Sequence, residues 1–240
     1  MRELPPPNYE YEISKLVNAY KQAMLDIQRE LERVDLTNFQ RANAMATLKS
    51  ITDILRELDA TTGAWVESNV PVAVSDGIVR SIIALEIVGT VAEAEKIVTF
   101  SRLNSELVKA IVADTQDSLL KVTQNVERKV QVAIRKTMAE VLRVNATKGI
   151  NGTSALTSEV VEKLREQLGS AIDTGIVDDI NRRWRPEVYA EMAIRTKMLE
   201  AHKEATMNDG ISRGANYGVI SKHGAKDACR NWEGKIVKLT

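Results

Sequence analysis

The sequence predicts a mainly α-helical protein: an elongated helical N-terminal region followed by a small α+β C-terminal domain. Three observations predict it. The five prolines sit at 5, 6, 7, 71 and 186, which leaves long windows where helices can run. Within those windows apolar residues recur at steps of three and four, the spacing of a helix face. Gly210, Gly214, Gly218, Gly224 and Gly234 then crowd the C-terminus around short strand-like runs, Val219-Ile220 and Ile236-Val237-Lys238-Leu239. The expected division is 1–148 as a helical region of hairpin plus long helices, 149–185 as linker and short helix, and 186–240 as a C-terminal helix with a β-containing cap.

In the first window Ile13, Leu16, Val17, Tyr20, Met24, Ile27, Leu31 and Val34 share one face, and Lys15, Lys21, Arg29 and Glu30 fall off it. Asp35-Leu36-Thr37-Asn38 offers N-cap residues for a second helix. Its apolar positions are Phe39, Met45, Leu48, Ile51, Leu55 and Leu58, so the two helices read as an antiparallel hairpin. Gly63, Pro71 and Gly77 punctuate the adjoining stretch, and the next helix is expected from Ser75-Asp76 to Gly89. A third window, 103–145, keeps helical spacing through Leu107, Ile111, Leu119, Val122, Val126, Val130, Ala133, Met138 and Val141. Such a helix reaches roughly 60 Å and must kink or pack as a coiled coil. Lys148-Gly149-Ile150-Asn151-Gly152-Thr153-Ser154 reads as a linker, 158–168 as a short helix, and Pro186 as the first residue of a further helix.

The chain has 240 residues, 33 basic and 33 acidic, with 44% apolar and 28% charged, which excludes global disorder. One cysteine excludes an intrachain disulfide scaffold. Residues 1–7 hold no apolar run of the secretory kind. Residues 70–88 carry Asp76, Arg80 and Glu86, too many charges for a bilayer span. The net charge is zero, so any polyanion binding needs a local patch.

Two such patches exist. Residues 121–148 hold Lys121, Arg128, Lys129, Arg135, Lys136, Arg143 and Lys148 against Glu127 and Glu140 alone. Positions 121, 128 and 135 recur at intervals of seven, as do 129, 136 and 143, so each set lines one side of a helix. The stripe serves either as a phosphate-tracking or acidic-partner surface, or as a solvated face opposite an apolar one. Arg182-Arg183-Trp184-Arg185 is the second patch. Its indole either stacks on a ligand or anchors the core while the arginines pair locally. His202, His223 and Cys229 match no metal spacing and no nucleophile–base–orienter set. No P-loop, dinucleotide fingerprint or nucleophile elbow occurs, so neither cofactor nor metal is expected.

The run Arg182-Arg183-Trp184, then Tyr189-Ala190-Glu191-Met192, then Arg195-Thr196, resembles the helix of tailed-bacteriophage minor capsid and head-morphogenesis proteins. The closing segment 221–235 is similar to that family's final motif at Gly224, Ala225, Cys229, Trp232, Gly234 and Lys235, with Lys226 for Arg and Glu233 for Gln. The resemblance implies a non-enzymatic virion protein, made in the host cytoplasm and associated with the portal vertex or head interior. Such a protein is expected in low copy number, as an oligomer on the portal ring, with the portal protein, the major capsid protein and phage DNA as partners. On the residues themselves, Tyr189, Met192, Thr196 and Leu199 are expected to face the core, and Arg195 to bond carbonyls or a carboxylate. Gly224 and Gly234 permit tight turns, and Trp232 is expected to pin the turn onto a helix. Two other readings are a DNA-binding packaging or ejection factor, and a toxin-like enzyme using Arg195, His223 and Cys229.

Overall fold

The computed structural model describes residues 5–36, 41–151, 158–173, 176–177, 182–220, 222 and 224–239. Among them six helices succeed one another: α1 Glu10–Glu32, α2 Arg41–Ala84, α3 Val91–Lys96, α4 Arg102–Asn151, α5 Ser158–Asp173 and α6 Pro186–Ser212. β1 (Ile176–Val177) pairs antiparallel with β2 (Arg183–Trp184), and β3 (Tyr217–Val219) with β4 (Ile236–Lys238). The fold is therefore mainly helical, with its small strands near the C-terminus. The chain groups into two compact units, one of Met1–Asn8, Glu67–Ala113 and Thr196–Thr240, the other of Tyr9–Val66 and Asp114–Arg195.

In the Tyr9–Val66 unit, every residue of the first predicted face is buried, from Ile13 through Val34. The Trp65 indole N–H, far along α2, donates to the Glu12 carbonyl at 3.0 Å, near the start of α1. That contact gives the antiparallel hairpin. On α2, Ile51, Leu55 and Leu58 are buried as expected, but Met45 is exposed and Ala44 takes the buried position. Phe39 lies outside the described residues. α5 packs on α1, with Leu164 and Leu168 buried and the Arg165 guanidinium donating to the Glu32 carbonyl at 2.7 Å.

The long third window lies within a single helix, α4. On α4 the buried positions Thr115, Leu119, Thr123, Val126, Val130, Ile134, Thr137 and Val141 repeat every eleven residues. An eleven-residue repeat averages about 3.67 residues per turn, close to the natural 3.6, so the stripe stays on one side of the helix. Polar bonds fix its register against α2. Thr52 donates to Glu127 at 2.8 Å, Thr123 to Asp59 at 2.7 Å, and Gln116 to the Gly63 carbonyl at 3.4 Å. As the α2 number rises the α4 number falls, so the pair is antiparallel. The Tyr20 and Thr62 hydroxyls lie buried near one another beside this layer, neither with a partner in good hydrogen-bond geometry among the described residues. Burial pushes the Tyr20 phenol well above its ordinary range, and it stays neutral. Because that hydroxyl has no well-formed bond, Tyr20→Phe is expected to leave stability within about 1 kcal/mol of the parent, or to raise it. A loss beyond about 2 kcal/mol in urea denaturation would show the hydroxyl to be paired.

The helix expected from Ser75 to Gly89 is instead the last part of α2, which runs unbroken through Gly63, Pro71 and Gly77 and ends at Ala84, short of Gly89. The reason is packing. Val66, Val70, Ala73, Val74, Ile78 and Ile82 are buried in steps of three and four across the supposed break, and that burial outweighs one lost backbone bond at Pro71. Gly77 marks a close approach rather than a stop. A Cβ there would lie 2.3 Å from the His202 carbonyl oxygen and 2.9 Å from the Ala205 Cβ. α3 begins at a capping box, in which Thr90 accepts from the Glu93 N–H and the Glu93 carboxylate accepts from the Thr90 N–H. α4 also continues through Lys148-Gly149, where a linker was expected, and residues 152–154 lie outside the described residues.

α6 starts at Pro186, but its buried face is not the expected one. Ala190, Ile194, Met198, Ala201 and Ala205 are buried, while Met192 and Leu199 are exposed. Thr196 is exposed too and Tyr189 only half-buried. Small residues allow close helix approach, and three alanines share the inward face with Ile194 and Met198. Among the described residues no helix is long and apolar enough to cross a membrane.

Candidate functional site

The basic stripe of α4 builds one wall of a recess. Ser118, Lys121, Val122, Gln124, Asn125, Arg128 and Lys129 of α4 line it together with Tyr189 of α6, enclosing about 680 Å³. Burial, and then the nearby Arg183 and Arg128 guanidiniums, hold the Lys129 ammonium below its ordinary value. Arg183 of the second basic cluster, more than fifty residues away in sequence, is therefore close enough to act on the charge of Lys129.

The stripe is not uniform. Lys121 pairs with Asp117 one turn earlier, and that hydrogen bond raises the Lys121 ammonium above its ordinary value. Asp117 lies just outside 121–148, so a charge count confined to that window overlooks it. The Arg128 guanidinium donates to the neutral Asn125 amide oxygen at 2.8 Å. Arg143 makes a two-pronged contact with Glu140 at 2.6 and 3.0 Å, which lowers the carboxyl's pKa. Arg135 and Lys136 are exposed farther along the helix, and the Lys148 side chain lies outside the described residues.

In the second cluster the Arg182 guanidinium lies over the Trp184 ring at 5.0 Å, and Trp184 is half-buried in β2. Arg185 approaches Glu187 at 3.6 Å. Arg195 donates to Glu10 at 2.7 Å and to Glu191 at 3.1 Å, bridging α1 and α6. Tyr189, read from the sequence as a core residue, instead lines the recess. Nothing in its helical spacing distinguishes a core aromatic from one at a recess wall.

The C-terminal segment departs most from expectation. Among the described residues of 211–239 none is buried. Trp232 does not pin the turn onto a helix: it is 57% exposed, with the Lys235 ammonium over its ring at 4.8 Å. Polar bonds hold the turn instead. The Ala225 N–H donates to the Glu233 carboxylate at 2.9 Å and the Gly234 N–H to the Ile220 carbonyl at 2.8 Å. Gly224 and Gly234 adopt φ of 72° and 75°, the left-handed region that suits glycine in such turns. On the adjoining hairpin, Val219 pairs across to Ile236 and Tyr217 to Lys238, all on one exposed face. Cys229 is an exposed free thiol, and His223 lies outside the described residues.

A model of the family described as phage minor capsid protein 2 matches residues 4–240, nearly the whole chain. The chain belongs to that family. The match extends the resemblance seen in residues 182–235 across the helical N-terminal region as well. It makes this minor capsid protein a structural phage protein and implies a place in the virion among other virion components. No curated protein and no solved structure shows a significant match.

Proposed function

We propose that this minor capsid protein docks at the portal vertex or head interior of a tailed phage, in several copies around the portal ring, and assists head assembly, DNA packaging or ejection. The family match over 4–240 carries the reading. Exposed apolar side chains support it: Leu120, Val132 and Leu142 on α4, and Tyr217, Trp232 and Ile236 in the C-terminal segment. Side chains of this size are covered when a partner surface, the portal first and the major capsid protein second, packs on them. The mechanism is binding without turnover: apolar contacts supply affinity and surface charge sets the register.

Size-exclusion chromatography of the purified chain with the portal protein of the same phage tests this. The two are expected to co-elute at low salt, and Trp232→Ser combined with Ile236→Ser is expected to weaken the complex about tenfold or more. Separate elution at low salt overturns the docking.

A further inference from the structure

Arg128 and Lys129 line the recess, and Arg183 is close enough to act on the charge of Lys129. Among the described residues Arg128, Lys129 and Arg183 form no ion pair, and Arg128 is held only by the neutral Asn125. Holding like charges together in a partly desolvated site costs free energy, and an anion in the recess offsets that cost. We propose that the recess binds the phosphate backbone of a nucleic acid, with Arg128, Lys129 and Arg183 on phosphates and Tyr189 against a base where the strand is single.

The wall favours a polynucleotide over an acidic protein. Ser118, Gln124 and Asn125 present neutral polar groups suited to phosphate and sugar oxygens, while Val122 is the sole aliphatic side chain among the lining residues. Apart from Tyr189 the wall offers no apolar anchor of the kind a protein partner uses. The cations also continue beyond the recess. Arg128 and Arg135, like Lys129 and Lys136, are spaced two helical turns apart, about 10.5 Å, so an extended polyanion meets charge along the whole stripe. The Tyr189 ring adds a stacking surface for a base. This inference rests on the virion reading only for the source of the nucleic acid.

Fluorescence anisotropy with the full chain and labelled mixed-sequence DNA, single-stranded in one arm and duplex in the other, tests it. Three phosphate contacts predict a log–log salt slope of about −2.7 on duplex, so affinity falls about 40-fold from about 50 to about 200 mM salt. Lys129→Gln and Arg183→Gln are each expected to weaken binding and to flatten that slope by about 0.9, whereas Lys109→Gln, elsewhere on α4, changes neither. Each recess variant relieves repulsion, so it is expected to melt no lower than the parent, which separates lost binding from lost folding. Tyr189→Ala is expected to weaken the single-stranded arm about tenfold and spare the duplex. A flat salt response, recess variants that bind like the parent, or tighter binding of polyglutamate than of DNA each overturns the proposal. Lost DNA binding in a chain that still co-elutes with portal overturns this inference alone and leaves the docking intact.

Discussion

Acidification from about pH 7 to pH 4 is expected to remove about 3 kcal/mol of stability through His202 alone. The side chain is buried in α6, and burial, then the Arg80 guanidinium, lower its pKa from 6.5 to about 4. The folded form therefore binds the proton less readily than the unfolded chain. Stability from this group is complete above 6.5 and is lost as pH falls through the window toward 4. At about 1.4 kcal/mol per tenfold difference in proton affinity, the gap amounts to roughly 3 kcal/mol. Urea denaturation at a series of pH values measures it. His202→Gln is expected to flatten the limb between about pH 6.5 and 4 by that amount. An acid limb identical in the variant and the parent would place the imidazole in water.

Gly77→Ala is expected to destabilise the protein although alanine is the better helix former. The gain in helix propensity is about 1 kcal/mol. Against it stands a Cβ placed 2.3 Å from the His202 carbonyl oxygen, a backbone atom that cannot rotate away. Thr206 ties the same spot, its hydroxyl lying 3.0 Å from the Gly77 carbonyl and 2.8 Å from the His202 carbonyl, so separating the helices also breaks this bridge. Overpacking of this kind costs typically about 1–3 kcal/mol and more where backbone must move, so a net loss of about 2 kcal/mol and a melting temperature lower by about 4–8 °C are expected. Gly63→Ala is the contrasting case: its Cβ meets only the Gln116 side-chain amide at 3.6 Å. It is expected to stabilise by up to about 1 kcal/mol. A stabilised Gly77→Ala in differential scanning calorimetry would refute the close approach.

The same two glycines show where sequence reading stops. Gly63 and Gly77 look alike in sequence, and both suggest a break. One stands in ordinary contact and the other in a contact that admits no side chain, and only the opposing helix distinguishes them. α6 teaches the same lesson. Tyr189, Met192 and Leu199 carry a strong apolar signal, yet the buried face is Ala190, Ile194, Met198, Ala201 and Ala205. Three of those five are alanines, whose own hydrophobicity is weak. At the candidate site both basic clusters were legible as clusters, but the closeness of Lys129 and Arg183 was not. The two belong to separate elements, and chain spacing contains no information about it.

Sequence alone determined the helical class, the buried face of α1, the start of α6 at Pro186, the turns at Gly224 and Gly234, and the family. These are local matters, set by a repeat of three and four residues, by backbone preference or by a short motif. Tertiary structure alone decided that α2 runs through Pro71 and Gly77, that Trp232 stays in solvent, and that Tyr189 and Lys129 line one recess. Each of those depends on which surface lies opposite, and burial against a distant segment outweighs the roughly 1–3 kcal/mol of local preference that a single glycine or proline exerts.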